Sequence, residues 1–306
     1  MNPASPDCAA VLLAGGSGTR LGFDKILTPL LGRPVISYAL EALLRTPDVG
    51  RIVVVGRPDS VGDLERLARE LGQTRDIRVV VGGAERQDSV WNGLEASGRE
   101  WPLTLIHDGA RPLLTAEGVT RLLAVAREHG SAVAGSRCTD TLKECQADGT
   151  VLATPDRRRM WQVQTPQVFR TEWIVVGYRQ VREEGLVVTD DASAVERAGF
   201  PVRLVEIGAP NPKITRPEDW EAVSHLLRLR EGFSVRGVLH QFANDLAPLV
   251  GYLPLLKKYR DQPEKFEGYW ASADAGTTHL RKRLSAAQET ARRLFPDDNR
   301  ESRSRR

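Results

Sequence analysis

Ala9-Ala10-Val11-Leu12-Leu13-Ala14-Gly15-Gly16-Ser17-Gly18-Thr19-Arg20-Leu21-Gly22, followed by Asp24 and Lys25, decides the fold. The apolar run Ala9–Leu13 reads as a strand, and it leads straight into glycines. Glycine lets backbone N–H groups approach an anion closely, and Arg20 and Lys25 add fixed positive charge where phosphates would sit. The loop is neither a Walker loop, which ends in Gly-Lys-Ser/Thr, nor a full Gly-x-Gly-x-x-Gly fingerprint. Glycines also serve tight strand-to-helix turns for steric reasons, so the loop alone leaves a phosphate cradle and a plain turn both open.

Outward from this stretch, short β-branched runs alternate with amphipathic segments from Cys8 to about Leu227. Strands are expected at Arg51–Val55, Arg78–Val81, Leu103–Ile106 and Ala132–Ala134. Helices are expected at Val35–Arg45, Asp59–Leu71, Asp88–Ser97 and Ala116–His129. The pattern is that of βαβ units in a doubly wound α/β fold, Rossmann-like with a mostly parallel sheet. Between Cys138 and Arg158 the rhythm breaks into two short strands around Asp148-Gly149, a hairpin that is either a surface excursion or an arm around a second subunit.

Composition bounds the function classes. The 306 residues are 41% hydrophobic and 27% charged. No apolar stretch approaches the roughly 20 residues of a membrane span, so a membrane-embedded or wholly disordered chain is not expected. The net charge is +3, but fifteen of the 43 basic and ten of the 40 acidic residues fall from Leu229 onward. The basic excess therefore belongs to the C-terminal segment, and nucleic-acid binding is not expected. Cys8, Cys138 and Cys145 form no zinc or disulfide framework, and no basic-then-apolar leader opens the sequence, so the expected location is the cytoplasm.

Four further segments accompany the glycine loop: Gly82-Gly83-x-Glu85-Arg86-x-Asp88-Ser89-Val90, His107-Asp108-Gly109-Ala110-Arg111-Pro112, Thr165-Pro166-Gln167-x-Phe169 and Thr189-Asp190-Asp191-Ala192-Ser193. With Lys213-Ile214-Thr215-Arg216-Pro217-Glu218-Asp219 they resemble the 2-C-methyl-D-erythritol 4-phosphate cytidylyltransferase family, over about residues 8–227. The resemblance implies cytidylyl transfer from CTP to a polyol phosphate with a divalent metal, magnesium, in a homodimer. The acceptor implied is methylerythritol 4-phosphate, with ribitol 5-phosphate the nearest alternative and a regulatory nucleotide-binding protein a more distant one.

The resemblance also assigns roles. Arg20 and Lys25 would stabilise the transition state, and Arg157 and Lys213 would position the attacking phosphate, Arg157 reaching in from a neighbouring subunit. Ala14, Gly15, Gly16, Ser17, Gly18 and Thr19 would line the nucleotide, with Gly82, Gly83 and Ser89 near the cytosine. Asp108 would lie beside the nucleotide and the magnesium, which triphosphate oxygens mostly hold. Arg111, Thr141, Thr165 and Thr189 would meet the polyol phosphate. A phosphate nucleophile is already an anion, so the site needs cations and no strong base. His107 is accordingly left outside the catalytic set.

The expected domains are 1–228 for the transferase, with the arm at about 138–158, a helical extension at 229–296, and a solvated tail at 297–306. In the extension, Val235, Leu239, Phe242, Leu246, Leu249, Leu253 and Leu256 follow alternating steps of four and three, the seam of a helix packed lengthwise on another. Pro248 and Pro254 should kink or interrupt that helix. A linker is expected around Pro263–Gly268, before a second helix from about Thr277 to Leu294. The stretch around His240 resembles the phosphoacceptor helix of sensor histidine kinases, but Gln241 replaces the usual acidic residue. A hairpin for packing or oligomerisation, with an unknown partner, is preferred.

Overall fold

The structure is a computed structural model, describing residues 5–15, 24–72, 75–230, 246 and 250–294. A seven-stranded sheet is built from β1 (Cys8–Ala14), β4 (Val49–Gly56), β5 (Asp76–Val81), β6 (Leu103–Asp108), β7 (Ser131–Arg137), β10 (Trp161–Arg170) and β11 (Leu204–Val205), in the order β11-β7-β10-β6-β1-β4-β5. The short strands β2 (Pro29–Leu30) and β3 (Arg33–Pro34) form a separate ladder. All pairings in the large sheet are parallel except those of β10, which runs antiparallel to both β6 and β7.

Helices α1 (Val35–Leu44), α2 (Val61–Leu71), α3 (Arg86–Ser97), α4 (Ala116–His129), α5 (Thr171–Glu183), α6 (Asp191–Arg197) and α7 (Pro217–Arg230) fill the connections. Alternate residues of β1 face opposite layers. Ala10 and Leu12 pack with Ile36, Leu40, Leu122 and Leu123, whereas Val11 and Leu13 pack with Val90, Leu94, Ile174 and Tyr178. Burial on both faces is why β1 reads as an unbroken apolar run.

Helix boundaries follow their caps. Thr115 Oγ1 accepts from the Gly118 amide at the start of α4, and Gly130 closes that helix in the left-handed region at φ 83°. Glu85 and Asp88 form a reciprocal capping box on α3. The expected helix at Asp59–Leu71 starts two residues later, at Val61, because Asp59 turns outward to pair with Arg57. The arm forms as expected: β8 (Glu144–Cys145) pairs antiparallel with β9 (Val151–Ala153), Gly149 turning at φ 88°.

Residue contacts divide the chain into two units, one of Met1–Pro29 with Arg33–Val223 and another of Leu30–Gly32 with Ser224–Arg306. In the second, α8 (250–258) precedes α9 (Pro263–Leu294). The expected linker at Pro263–Gly268 is instead the first turn of α9, since proline at the first helical position has no N–H that the helix could use. The helix also runs through Pro254.

Of the expected leucine seam, three positions lie among the described residues. Leu246 and Leu253 are exposed, the latter at 63%, while Tyr252 and Tyr259 turn toward Tyr269 with ring centroids 6.5 and 5.6 Å away. Aromatic rings pack between the two helices, and Leu256 of the seam is half-buried. Val235, Leu239, His240, Phe242, Pro248, Leu249 and the tail at 297–306 lie outside the described residues. Among the described residues, no helix is long and apolar enough to cross a membrane.

Candidate active site

The parallel strands β1, β4, β5 and β6 end together, with Ala14 beside Gly56, Gly56 beside Val81 and Leu13 beside Asp108. The chain moves outward from β1 to β4 and β5, then returns to β6 on the other side. Ligands in open α/β sheets sit at such a reversal, outside the carboxyl ends of the strands.

On the β5 side, the start of α3 packs directly on two glycines. Ser89 Oγ accepts from the Gly83 amide at 3.1 Å and donates to the Glu85 carbonyl at 3.2 Å. A Cβ on Gly82 would fall 2.6 Å from Ser89 Oγ, and one on Gly83 only 2.2 Å from Asp88 Cβ. A Cβ on Gly15 would reach Ser89 Oγ at 3.7 Å, so Gly15, Gly82 and Gly83 gather around the buried Ser89 in one side-chain-free cradle. Ala14 is buried behind it. Gly16, Ser17, Gly18, Thr19 and Arg20 lie outside the described residues.

The opposite side is dominated by cations around one carboxylate. Asp108 is buried at the end of β6 and meets Lys213 Nζ at 2.9 Å, Arg86 at 3.4 Å and Arg111 Nε at 3.7 Å. Burial alone would raise its pKa, but Lys213, Arg86 and Arg111 together outweigh that cost and hold the carboxyl far below the usual carboxylate range. Asp108 therefore stays an anion, surrounded by more positive charge than it neutralises.

Residues 211–215 cross this region as a strap. Asn211 Nδ2 donates to the Thr165 carbonyl at 2.7 Å, and Arg111 Nη1 donates to the Asn211 carbonyl at 2.7 Å. The Ile214 amide donates to the Ala110 carbonyl, and the Ile214 carbonyl accepts from Lys25 Nζ at 3.0 Å. Asp219 fixes the far end by accepting from the Thr215 and Arg216 amides. Lys25 thus bonds the residue next to Lys213, whose own ammonium turns to Asp108. Lys25 itself follows Asp24, whose carboxylate caps the Ile26 amide and pairs with Arg57 at 3.1 Å.

His107 is fully buried and has partners on both ring nitrogens. Thr165 Oγ1 lies 3.1 Å from Nδ1 and accepts from the Asp108 amide at 3.0 Å, while Nε2 lies 3.3 Å from the Arg111 carbonyl. The carbonyl can only accept, so Nε2 carries the proton and Nδ1 accepts from the Thr165 hydroxyl. Burial pushes the ring's pKa down to about 4, so it is neutral and already bonded at both nitrogens.

Other expected site residues lie apart from this cluster. Thr189 is exposed just before α6, its Oγ1 3.2 Å from Ser193 Oγ. Thr141 is exposed on the arm. Arg157 sits there on a 3₁₀ turn, Arg157–Arg159, and donates to the Thr139 carbonyl; it is not bonded to the Asp108 cluster. Sequence reading missed Arg86, Asn211, Asp191 and Arg57 as site-building residues. Arg86 and Asp191 stood inside quoted motifs, whereas nothing local marks Asn211 or Arg57.

Comparisons with known proteins identify the family. Residues 8–228 match the family described as IspD, 2-C-methyl-D-erythritol 4-phosphate cytidylyltransferase. A protein of that name from Synechococcus elongatus is 40% identical over 220 residues, 71% of this chain and 95% of that one. Another from Caldanaerobacter subterraneus is 38% identical over 223 residues, 72% and 98%. Among solved structures, the 4-diphosphocytidyl-2C-methyl-D-erythritol synthase of Anaerococcus prevotii superposes with a TM-score of 0.67 at 27% identity, over 73% of this chain and 97% of that one. The Thermus thermophilus cytidylyltransferase gives 0.59 at 32% identity, over 72% and 98%.

Proposed function

The chain belongs to the 2-C-methyl-D-erythritol 4-phosphate cytidylyltransferase family, and we propose the following chemistry for its site. A phosphate oxygen of 2-C-methyl-D-erythritol 4-phosphate attacks the α-phosphorus of CTP. The new P–O bond forms as the bond to the β-phosphate bridging oxygen breaks, and pyrophosphate leaves with that electron pair. No proton has to move.

The observation that carries this reading is one strap that bears Lys213, paired with Asp108, and is held at its next residue by Lys25, in a site that also has a glycine cradle. Two polyanions must be brought together while charge gathers on the transferred group, and fixed cations in a partly desolvated site oppose that repulsion. Lys25, with Arg20, would face the triphosphate, while Lys213 and Arg111 would hold the attacking phosphate. Gly82, Gly83 and Ser89 would present backbone groups to the cytosine edge. His107 has no role as a base, because both its nitrogens are engaged within the protein.

Among the described residues no group of three or more metal-ligating side chains comes together. What is present fits a magnesium ion that enters with the triphosphate, Asp108 offering one oxygen at most. The ion would supply charge neutralisation at the phosphates.

Arg157 and Thr141 would serve the site of a second subunit in a homodimer, a reading supported by the exposed arm with Val151 and Leu152 open on it. Three unpaired cysteines favour a reducing compartment, the cytoplasm.

Pyrophosphate release from CTP and magnesium, compared between methylerythritol 4-phosphate and ribitol 5-phosphate, tests the assignment. Preference for the first is expected. Preference for ribitol phosphate would move the acceptor, and silence with both would overturn the reading.

A further inference from the structure

Arg86 opens α3 and has two carboxylates in reach. Its guanidinium grips Asp191 with Nη1 at 2.9 Å and Nη2 at 2.8 Å, and it lies 3.4 Å from Asp108. Asp191 opens α6 and is fully buried, where a carboxylate is costly to keep unless fully bonded. The bidentate fork supplies two of its bonds and the Tyr178 hydroxyl a third, at 2.6 Å.

Neighbouring side chains sew the same seam. Gln87 donates to the Leu186 carbonyl and accepts from the Val188 amide, and Gln167 bridges Asp190 and the Ala192 amide. The segment bearing Thr189 is thus stitched to α3, whose next turn carries Ser89.

We propose that Arg86 and Asp191 form a positioning pair that sets the acceptor side of the site, Thr189 and the Asp108 cluster, against the cytosine cradle. Asp191 holds the Arg86 guanidinium by its fork, so that it only leans on Asp108 Oδ1, at 3.4 Å, while Lys213 takes Oδ2 at 2.9 Å. Once Asp191 loses its charge, Arg86 closes on Asp108 Oδ1 and competes with Lys213 on Oδ2 for the charge of one carboxylate, while Gly83 and Ser89 keep their own bonds through the Glu85–Asp88 cap. The pair therefore governs the acceptor more than CTP. This inference rests on the cytidylyl transfer proposed above.

Asp191→Asn keeps shape and Tyr178's partner but removes the charge. Steady-state kinetics should show the acceptor KM raised on the order of tenfold, the loss expected for a charge-assisted hydrogen bond, with the CTP KM within about twofold. Arg86→Lys, which keeps charge but loses the fork, should fall between this variant and the wild type. Val195→Ala in α6 trims the core beside the pair without touching it, and should lower Tm while leaving the acceptor KM in place. An equal rise in Val195→Ala at matched Tm, or an Asp191→Asn that changes both KM values alike, would overturn the proposal.

Hydrogen exchange separates this outcome from a wrong substrate. In Asp191→Asn the Val188 and Ala192 amides should exchange faster while the Gly83 amide does not. That readout holds or fails even if the wild type turns over neither polyol phosphate.

Discussion

Acidification isolates what the burial of His107 costs. The ring's pKa is about 4 in the folded chain against an ordinary 6.5, because burial disfavours the imidazolium more than the Asp108 carboxylate and the Arg111 carbonyl favour it. The folded state therefore binds the proton more weakly than the unfolded one. Stability associated with the neutral ring is whole above about pH 6.5, declines as the pH falls, and is gone near pH 4. At about 1.4 kcal/mol per pKa unit the full loss is roughly 3 kcal/mol, of which about 2 kcal/mol is lost by pH 5.

Urea unfolding followed by tryptophan fluorescence at pH 7 and pH 5 would measure it, using wild type and His107→Gln. Subtracting the two cancels every other titrating group. Wild type should lose about 2 kcal/mol more than the variant over this interval. The five histidines also allow a direct check, since the proton resonance missing from His107→Gln should not titrate above pH 5. Parallel stability curves, or a resonance titrating near 6.5, would refute the reasoning.

Lys25→Ala should cut kcat at least a hundredfold, the order seen when one preorganised charge partner is removed, with Tm within a few degrees of wild type; full turnover would remove Lys25 from the mechanism. Mixing inactive Lys25→Ala with inactive Arg157→Ala should restore about a quarter of wild-type activity, because random dimers give half heterodimers, each with one intact shared site. No recovery after subunit exchange would place Arg157 outside the partner's site. Gly83→Ala, whose Cβ would sit 2.2 Å from Asp88 Cβ, must displace the start of α3. The KM for CTP should rise well ahead of that for the acceptor, and an unchanged CTP KM would argue against a cytosine cradle there.

Much of this was legible in the residues. Strand β1 and the helices α1, α3 and α4 announced themselves through continuous or periodic apolar sequence, because each buries a face. Strand β10 did not, since Gln162, Gln164 and Gln167 interrupt it. Gln167 is buried not for apolar packing but to bond Asp190 and the Ala192 amide. The residues of the Asp108 cluster stood in quoted motifs, yet their mutual arrangement depends on a strap about a hundred residues away.

The C-terminal pair has ring contacts that leucine spacing does not signal. Tyr252 and Tyr259 meet Tyr269, while among the described seam leucines Leu246 and Leu253 are exposed and Leu256 is half-buried.

The strap at 211–215 also dates the birth of the enzyme. Lys25 is tied to a carbonyl 189 residues further along, and Asp108 receives Lys213 only when that same late segment docks. During synthesis the N-terminal strands can pair first, since chains generally fold as they emerge. A half-made chain could hold its glycine cradle, yet it would lack the lysine that meets Asp108. On the proposed mechanism, a chain truncated or stalled before the strap lacks Lys213 and has no finished pocket in which to spend CTP.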